Sequence, residues 1–256
     1  MQLVSPALFR YILAAARRDR IFYALIGLCA IVASLCVFFG SSATSEKQTF
    51  VLVYTAGLLR IVGMAGLVLF VVFYLRNAFA RREVDFLLAK PVTRTSYILS
   101  HAAAFLVLAV IVALIVSTAV VAVAPTQIGI TTLYWSVSLI LEYGIMALTA
   151  LFFAMVLRSP ASCALICFVF YGLARSIGQL FGIIDSAGTP IYLQPLEWIM
   201  QVVSIIIPRL DLLAQTAWLV YGEIEVERLL YLIAHMTVFG TILILAAIID
   251  LRRRQF

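Results

Sequence analysis

Three ionisable side chains, Arg60, Glu142 and Arg175, stand inside long apolar stretches of this 256-residue chain. Each costs roughly 2.5 to 3.5 kcal/mol at the centre of a membrane-crossing helix, so such residues face a partner or a watery cavity. Counted inward from Phe50, Thr132 and Ile184, they lie about 10, 10 and 9 residues deep, which at 1.5 Å per residue is roughly 15 Å for each. The three can therefore meet in one layer near the middle of a bilayer. Two chemistries follow. Glu142 can take one arginine as a structural ion pair, or the arginine left over can face a passage and attract an anionic group.

Other chemistries find little footing. An intramembrane hydrolase needs a nucleophile with its base, a metal motif or paired aspartates. Here every aspartate (Asp19, Asp85, Asp185, Asp211, Asp250) falls in a loop or flank, and neither H-E-x-x-H nor G-x-S-x-G occurs. His101 and His235 stand alone and are expected to be packing or interface residues. Cys163 and Cys167, four apart, share a helix face, a spacing that a soft metal such as copper accepts. No His or Met cluster accompanies them, so small buried hydrophobes are expected instead and no metal site is assigned. The chain also has no G-x-x-x-x-G-K-[ST] loop to cradle phosphates, so it is not expected to be an enzyme or to hold a cofactor.

The elements that must position the three ionisable residues are membrane spans. Of all residues 65% are hydrophobic and 12% charged, with a mean hydropathy of +1.14. A bilayer core about 30 Å thick needs roughly 20 apolar residues per helix, and six stretches qualify, near 21–40, 50–75, 97–124, 132–157, 161–184 and 229–249. The expected fold is an all-α integral membrane domain occupying 1–256.

Cytoplasmic flanks are enriched in Lys and Arg. With both termini inside, 13 basic residues fall on that side against 3 outside (Lys47, Arg209, Arg228), while Arg60 and Arg175 lie within spans. The acidic residues Glu46, Asp185, Glu197, Asp211, Glu223, Glu225 and Glu227 fall outside. The net charge of +6 thus reflects topology and anionic headgroups rather than nucleic acid. The expected location is the inner (plasma) membrane, multi-pass, with no cleavable signal peptide.

Three further features interrupt the spans. The first 20 residues read as an interfacial helix, with Leu3, Leu8 and Ile12 in the headgroup region and Arg10, Arg17 and Arg18 on phosphates. Between the fifth and sixth spans, PLEWIMQVVSIII and LDLLAQTAWLVYG are each too short to cross and are expected as two short external or re-entrant helices, the second stopping at Gly222. Ala174, Gly178 and Gly182, and Gly57, Gly63 and Gly66, have the small-residue spacing that lets helices approach closely, within one chain or between two.

The segment from Arg76 to Arg94 is charged and amphipathic. Phe79, Phe86 and Leu87 fall on one side of a helical wheel and Arg81, Arg82 and Asp85 on the other, with Arg81 and Asp85 spaced as an i,i+4 pair. Pro91 stops that helix, and PVTR turns into the third span near Tyr97. Its compactness and mixed charge suit a protein partner better than lipid alone.

EVDFLLAKPVTR, residues 83–94, resembles the first cytoplasmic loop of ABC transporter type-2 permeases: an acidic residue, a Leu-Leu pair, a small residue and Pro-Val-Ser/Thr-Arg. IIPRLDLLAQTAWLVYGE is similar to that family's Pro-Asn-Phe-Asp stretch and following Tyr-Gly, with Arg209 and Leu210 in place of Asn and Phe. LRRRQF at 251–256 resembles its closing Arg-Arg-Asp-Phe, with Gln255 for Asp. The resemblance runs through the whole chain in order. It implies the membrane subunit of an exporter, paired with a second and identical permease subunit, over two separate ABC ATPase subunits that bind ATP and Mg. By the same resemblance Arg82, Glu83, Asp85, Phe86, Leu87, Leu88, Pro91 and Arg94 belong to a cytoplasmic coupling helix, and the N-terminal helix lies near the ATPase. The alternative is a secondary, ion-coupled transporter or channel-like protein with Glu142 as the ion site, although no inverted repeat or broken helix is visible.

Overall fold

The computed structural model describes residues 4–41, 47–81, 93–125, 129–186, 208–222 and 226–253. In chain order these form α1 (Pro6–Arg18), α2 (Arg20–Ser41), α3 (Lys47–Ala80), α4 (Arg94–Val123), α5 (Ile130–Val156), α6 (Pro160–Ser186), a 3-10 turn at Leu210–Leu212, α7 (Ala217–Tyr221) and α8 (Val226–Arg253). No strand occurs among the described residues. Helices α2 to α6 and α8 are long and apolar enough to cross a membrane, which fits a multi-pass transmembrane protein.

Helix α5 is the axis of the bundle, in contact with α3, α4, α6, α7 and α8. Residues 142–151 are buried without a break, as expected of a helix that is apolar all round. Small residues at Ser138, Gly144, Ala147, Ala150 and Ala154 allow neighbours to close on it from every side. Helix α2 is its opposite. Leu25, Cys29 and Cys36 face α3, and Tyr23, Ile31, Phe38 and Phe39 are more than half exposed. So much outward apolar surface is suited to acyl chains and would be an association hazard in water.

Local signals fix the helix ends. Pro6 opens α1 with a preset backbone angle, and Arg17 and Arg18 oppose the dipole at its other end. Asp19 then accepts a hydrogen bond from the Ile21 amide (2.9 Å), capping the start of α2. Helix α4 starts at Arg94, before the expected Tyr97, because the Thr93 hydroxyl accepts from the Ser96 amide at 3.1 Å.

Leu8, Ile12 and Ala16 line one face of α1 and are buried, with α1 packed on α4 and the Ser5 amide donating to Ser100 Oγ at 2.9 Å. The face that the sequence assigns to headgroups is thus turned onto protein. Arg10, Tyr11, Arg17 and Arg18 stay exposed.

Two of the glycines test why small residues recur in α3. A methyl group at Gly63 would run into the Tyr143 hydroxyl and Val116, whereas one at Gly57 would meet nothing within 4 Å. Gly63→Ala is expected to cost about 1 to 3 kcal/mol by overpacking. Gly57→Ala is expected to be neutral or to add about 0.5 kcal/mol through backbone entropy. Thermal unfolding of the two variants in nanodiscs should separate them; equal midpoints would show that α3 is not closely packed on Tyr143 and Val116 at Gly63.

Candidate functional site

Arg60 on α3, Glu142 on α5 and Arg175 on α6 come together. Arg175 lies 3.5 Å from Glu142 Oε2, Arg60 Nε lies 3.9 Å from Oε1, and the carboxylate is fully buried. The shortest contact to Glu142 comes from elsewhere: the Tyr171 hydroxyl donates to Oε1 at 2.7 Å. Tyr171 precedes Arg175 by four residues on α6, so the two share a face. The four-residue spacing is the signal in the sequence that ties this hydroxyl to the cluster.

Both arginines have further partners. Arg60 donates to the Ala214 carbonyl at 2.6 Å, and Arg175 donates to the carbonyls of Leu210 (2.6 Å) and Leu213 (2.8 Å). Trp135 Nε1 also donates to Ala214 O at 3.2 Å. The Ala214 amide donates to Ser138 Oγ (3.1 Å), whose own hydrogen goes to the Trp135 carbonyl (2.8 Å). Trp135, Ser138 and Glu142 repeat at three and four residues, so α5 presents one polar stripe to these partners.

What the stripe receives is a stretch of irregular backbone. From Pro208 to Gln215 the chain makes only the three-residue 3-10 turn, and Ala214 takes φ 45, which L side chains rarely adopt. Leu210, Leu213 and Ala214 are fully buried. Ser138 lies eight residues along α5 from Ile130, or about 12 Å at the helical rise, so the segment enters between the helices rather than lying across their ends. Non-helical backbone at membrane depth survives only where protein satisfies its polar groups, each of which costs several kcal/mol if orphaned. The two guanidiniums, the indole and the Ser138 hydroxyl supply that solvation.

The cluster extends to Asp211, which pairs with Arg209 at 2.9 Å. Its carboxylate lies where a side chain at Gly178 would stand, so this glycine admits the segment rather than a second helix. Ala174 is likewise buried within the chain. The segment ends in α7, closed by Gly222 in the left-handed conformation (φ 74). Two short elements thus replace the single short helix expected for LDLLAQTAWLVYG; PLEWIMQVVSIII lies outside the described residues.

Of the coupling residues, Arg82, Glu83, Asp85, Phe86, Leu87, Leu88 and Pro91 also lie outside the described residues, and Arg94 lies within them. Arg94 donates to the carbonyls of Leu251 (3.2 Å) and Arg252 (3.0 Å) at the end of α8. Arg252 in turn donates to Thr95 Oγ1 at 3.1 Å. A cation on the last carbonyls of a helix satisfies them and opposes the dipole.

The remaining residues with chemical potential are used in packing. His101 Nδ1 sits 2.9 Å from the Tyr97 carbonyl, within a ring cluster that includes Tyr74, Tyr97 and Phe105. His235 stacks on Tyr231. Cys163 donates weakly to the Phe153 carbonyl (3.5 Å), and Cys167 is buried. Among the described residues no three His, Cys, Asp or Glu side chains are grouped to hold a metal ion.

No protein-family model and no curated protein matches this chain.

Proposed function

We propose that this chain is the transmembrane subunit of an ATP-binding cassette exporter. It works as one of a pair of such subunits, identical in the simplest arrangement, in the plasma or inner membrane. Two separate ATPase subunits dock beneath it and bring ATP and Mg. Six helices of spanning length support this reading, as do the three sequence segments similar to type-2 permeases.

The observation that carries it is the junction of Arg94 with the end of α8. Two of the segments that bear the resemblance, at 83–94 and 251–256, lie far apart in sequence and adjoin through Arg94, Leu251 and Arg252. Helix α1 packs near the same point through Ser5 and Ser100. Exposed Arg10, Arg17, Arg18, Arg81, Arg252 and Arg253 gather at the end where α2 starts, α3 stops and α8 stops. By the positive-inside rule this end is read as the cytoplasmic one, with the start of α1 and the end of α8 on that side. A docking ATPase would meet α1, the start of α4 and the end of α8 together. Motion entering through Arg94 would pass directly into α4 and α8, a rigid-body route. Glu142, which an ion-coupled carrier would use, accepts from Tyr171 and has its charge balanced by two arginines at 3.5 and 3.9 Å, and this weighs against the rival reading.

The test is copurification. The tagged chain should bring down an ATPase carrying a phosphate-binding loop. Replacing Leu87 and Leu88 together by Asp should cut the recovered ATPase about tenfold or more, as loss of two central apolar contacts does, with membrane insertion unchanged. Proton-driven flux by the chain without any ATPase would overturn the proposal.

A further inference from the structure

We propose that Arg60 and Arg175 form a covered binding site for an anionic group, in which the carbonyls of Leu210, Leu213 and Ala214 stand in for the anion. Only the identification of that anion as a cargo group rests on the exporter reading.

The argument begins with charge. Facing one another from α3, α5, α6 and the 208–214 segment are Arg60, Arg175 and Arg209 against Glu142 and Asp211, an excess of one positive charge among the described residues. Asp211 is occupied by Arg209 at 2.9 Å, and Glu142 holds neither guanidinium closer than 3.5 Å. Neutral carbonyls fill the vacated places. A guanidinium fork matches phosphate or carboxylate geometry with two parallel charge-assisted bonds, so an anion would hold these groups more strongly than carbonyl dipoles do. Arg60 Nε is buried without a hydrogen-bond partner, 3.9 Å from Glu142 Oε1, and Glu142 Oε2 is likewise unbonded, so the carboxylate leaves the bonding capacity of the guanidiniums only partly used.

The cover is also suited to leave. Its backbone carries the unfavourable φ of Ala214, and it is fastened by side chains rather than by a helix or sheet ladder. The arginine side chains are 12% and 21% exposed, so the edge of the site reaches the surface. An anion taking over the guanidiniums would remove three of the ties on the segment in one step. Binding and release of the cover are then the same event.

The experiment uses the full chain with Leu213→Cys in nanodiscs of zwitterionic lipid, labelled by a membrane-impermeant maleimide. Leu213 is fully buried, and so are the four native thiols, so background labelling is slow. Dodecyl phosphate should raise the labelling rate on the order of tenfold by shifting the segment toward its released state, and dodecylphosphocholine should not. Inorganic phosphate distinguishes the source: a matching rise marks a site for free anions, and no rise marks a site for anionic amphiphiles. Arg60→Gln should abolish the response, and Arg60→Lys, which keeps the charge without the fork, should weaken it at least about fivefold. Labelling that ignores dodecyl phosphate, or rises equally with dodecylphosphocholine, overturns the proposal. No ATPase takes part, so failure here leaves the copurification result untouched, and the reverse holds too.

Discussion

Glu142→Leu is expected to destabilise the protein by about 3 to 5 kcal/mol, because removing one partner of a buried charge cluster leaves the others uncompensated. Two guanidiniums would keep their charge beside a fully buried apolar side chain, and the Tyr171 hydroxyl would lose its acceptor. For a chain of this size such a loss lowers the thermal midpoint by about 6 to 20 °C. Glu142→Gln keeps an acceptor for Tyr171 and should lie between leucine and the native protein. The decisive comparison is a double-mutant cycle with Arg60→Met. If the cost is electrostatic, Glu142→Leu should be milder by about 0.5 to 3 kcal/mol in that background. Strictly additive losses would mean that Glu142 acts through shape alone.

Trp135→Ala is expected to cost about 3 to 5 kcal/mol, the usual range for a fully buried large aromatic truncated to methyl. Trp135 has no exposed surface and is among the largest side chains so placed. Its effect should also be local. The indole hydrogen bond to Ala214 O at 3.2 Å is lost along with the volume, so the segment should loosen before the bundle does. Trp135→Phe retains most of the volume and removes the donor, for about 0.5 to 1.5 kcal/mol, because Ala214 O keeps its bond from Arg60. Hydrogen exchange of a peptide covering 208–222 reads this directly: it should quicken strongly in Trp135→Ala and measurably in Trp135→Phe. Unchanged exchange in both would show that the segment is held without the indole.

The six long helices were legible because a membrane writes its thickness into the sequence as runs of about 20 apolar residues. The layer of Arg60, Glu142 and Arg175 was legible for a related reason, since a fixed rise per residue turns counting into depth. The partners of those arginines were not legible. LDLLAQTAWLVYG has the composition of a short helix, and nothing in it marks Ala214, a poor residue for the left-handed region, as the point where the backbone turns. That conformation is imposed by Arg60, Trp135 and Ser138, which lie 154, 79 and 76 residues away. Amphipathicity in α1 was visible too. The periodicity of Leu8, Ile12 and Ala16 is the same whether their face meets lipid or protein, so only the fold could choose between them.

That choice has a consequence for biogenesis. The surface that α1 covers belongs to α4, and the bond joining them spans 95 residues. At about 5 to 20 residues per second, the ribosome needs roughly 5 to 20 s to deliver Ser100 after Ser5. During that interval Leu8, Ile12 and Ala16 have no protein to cover them, and the basic, amphipathic helix is suited to wait on the anionic surface of the membrane. The membrane surface then acts as a temporary chaperone for α1, and lipid composition would govern how promptly this helix reaches its final place.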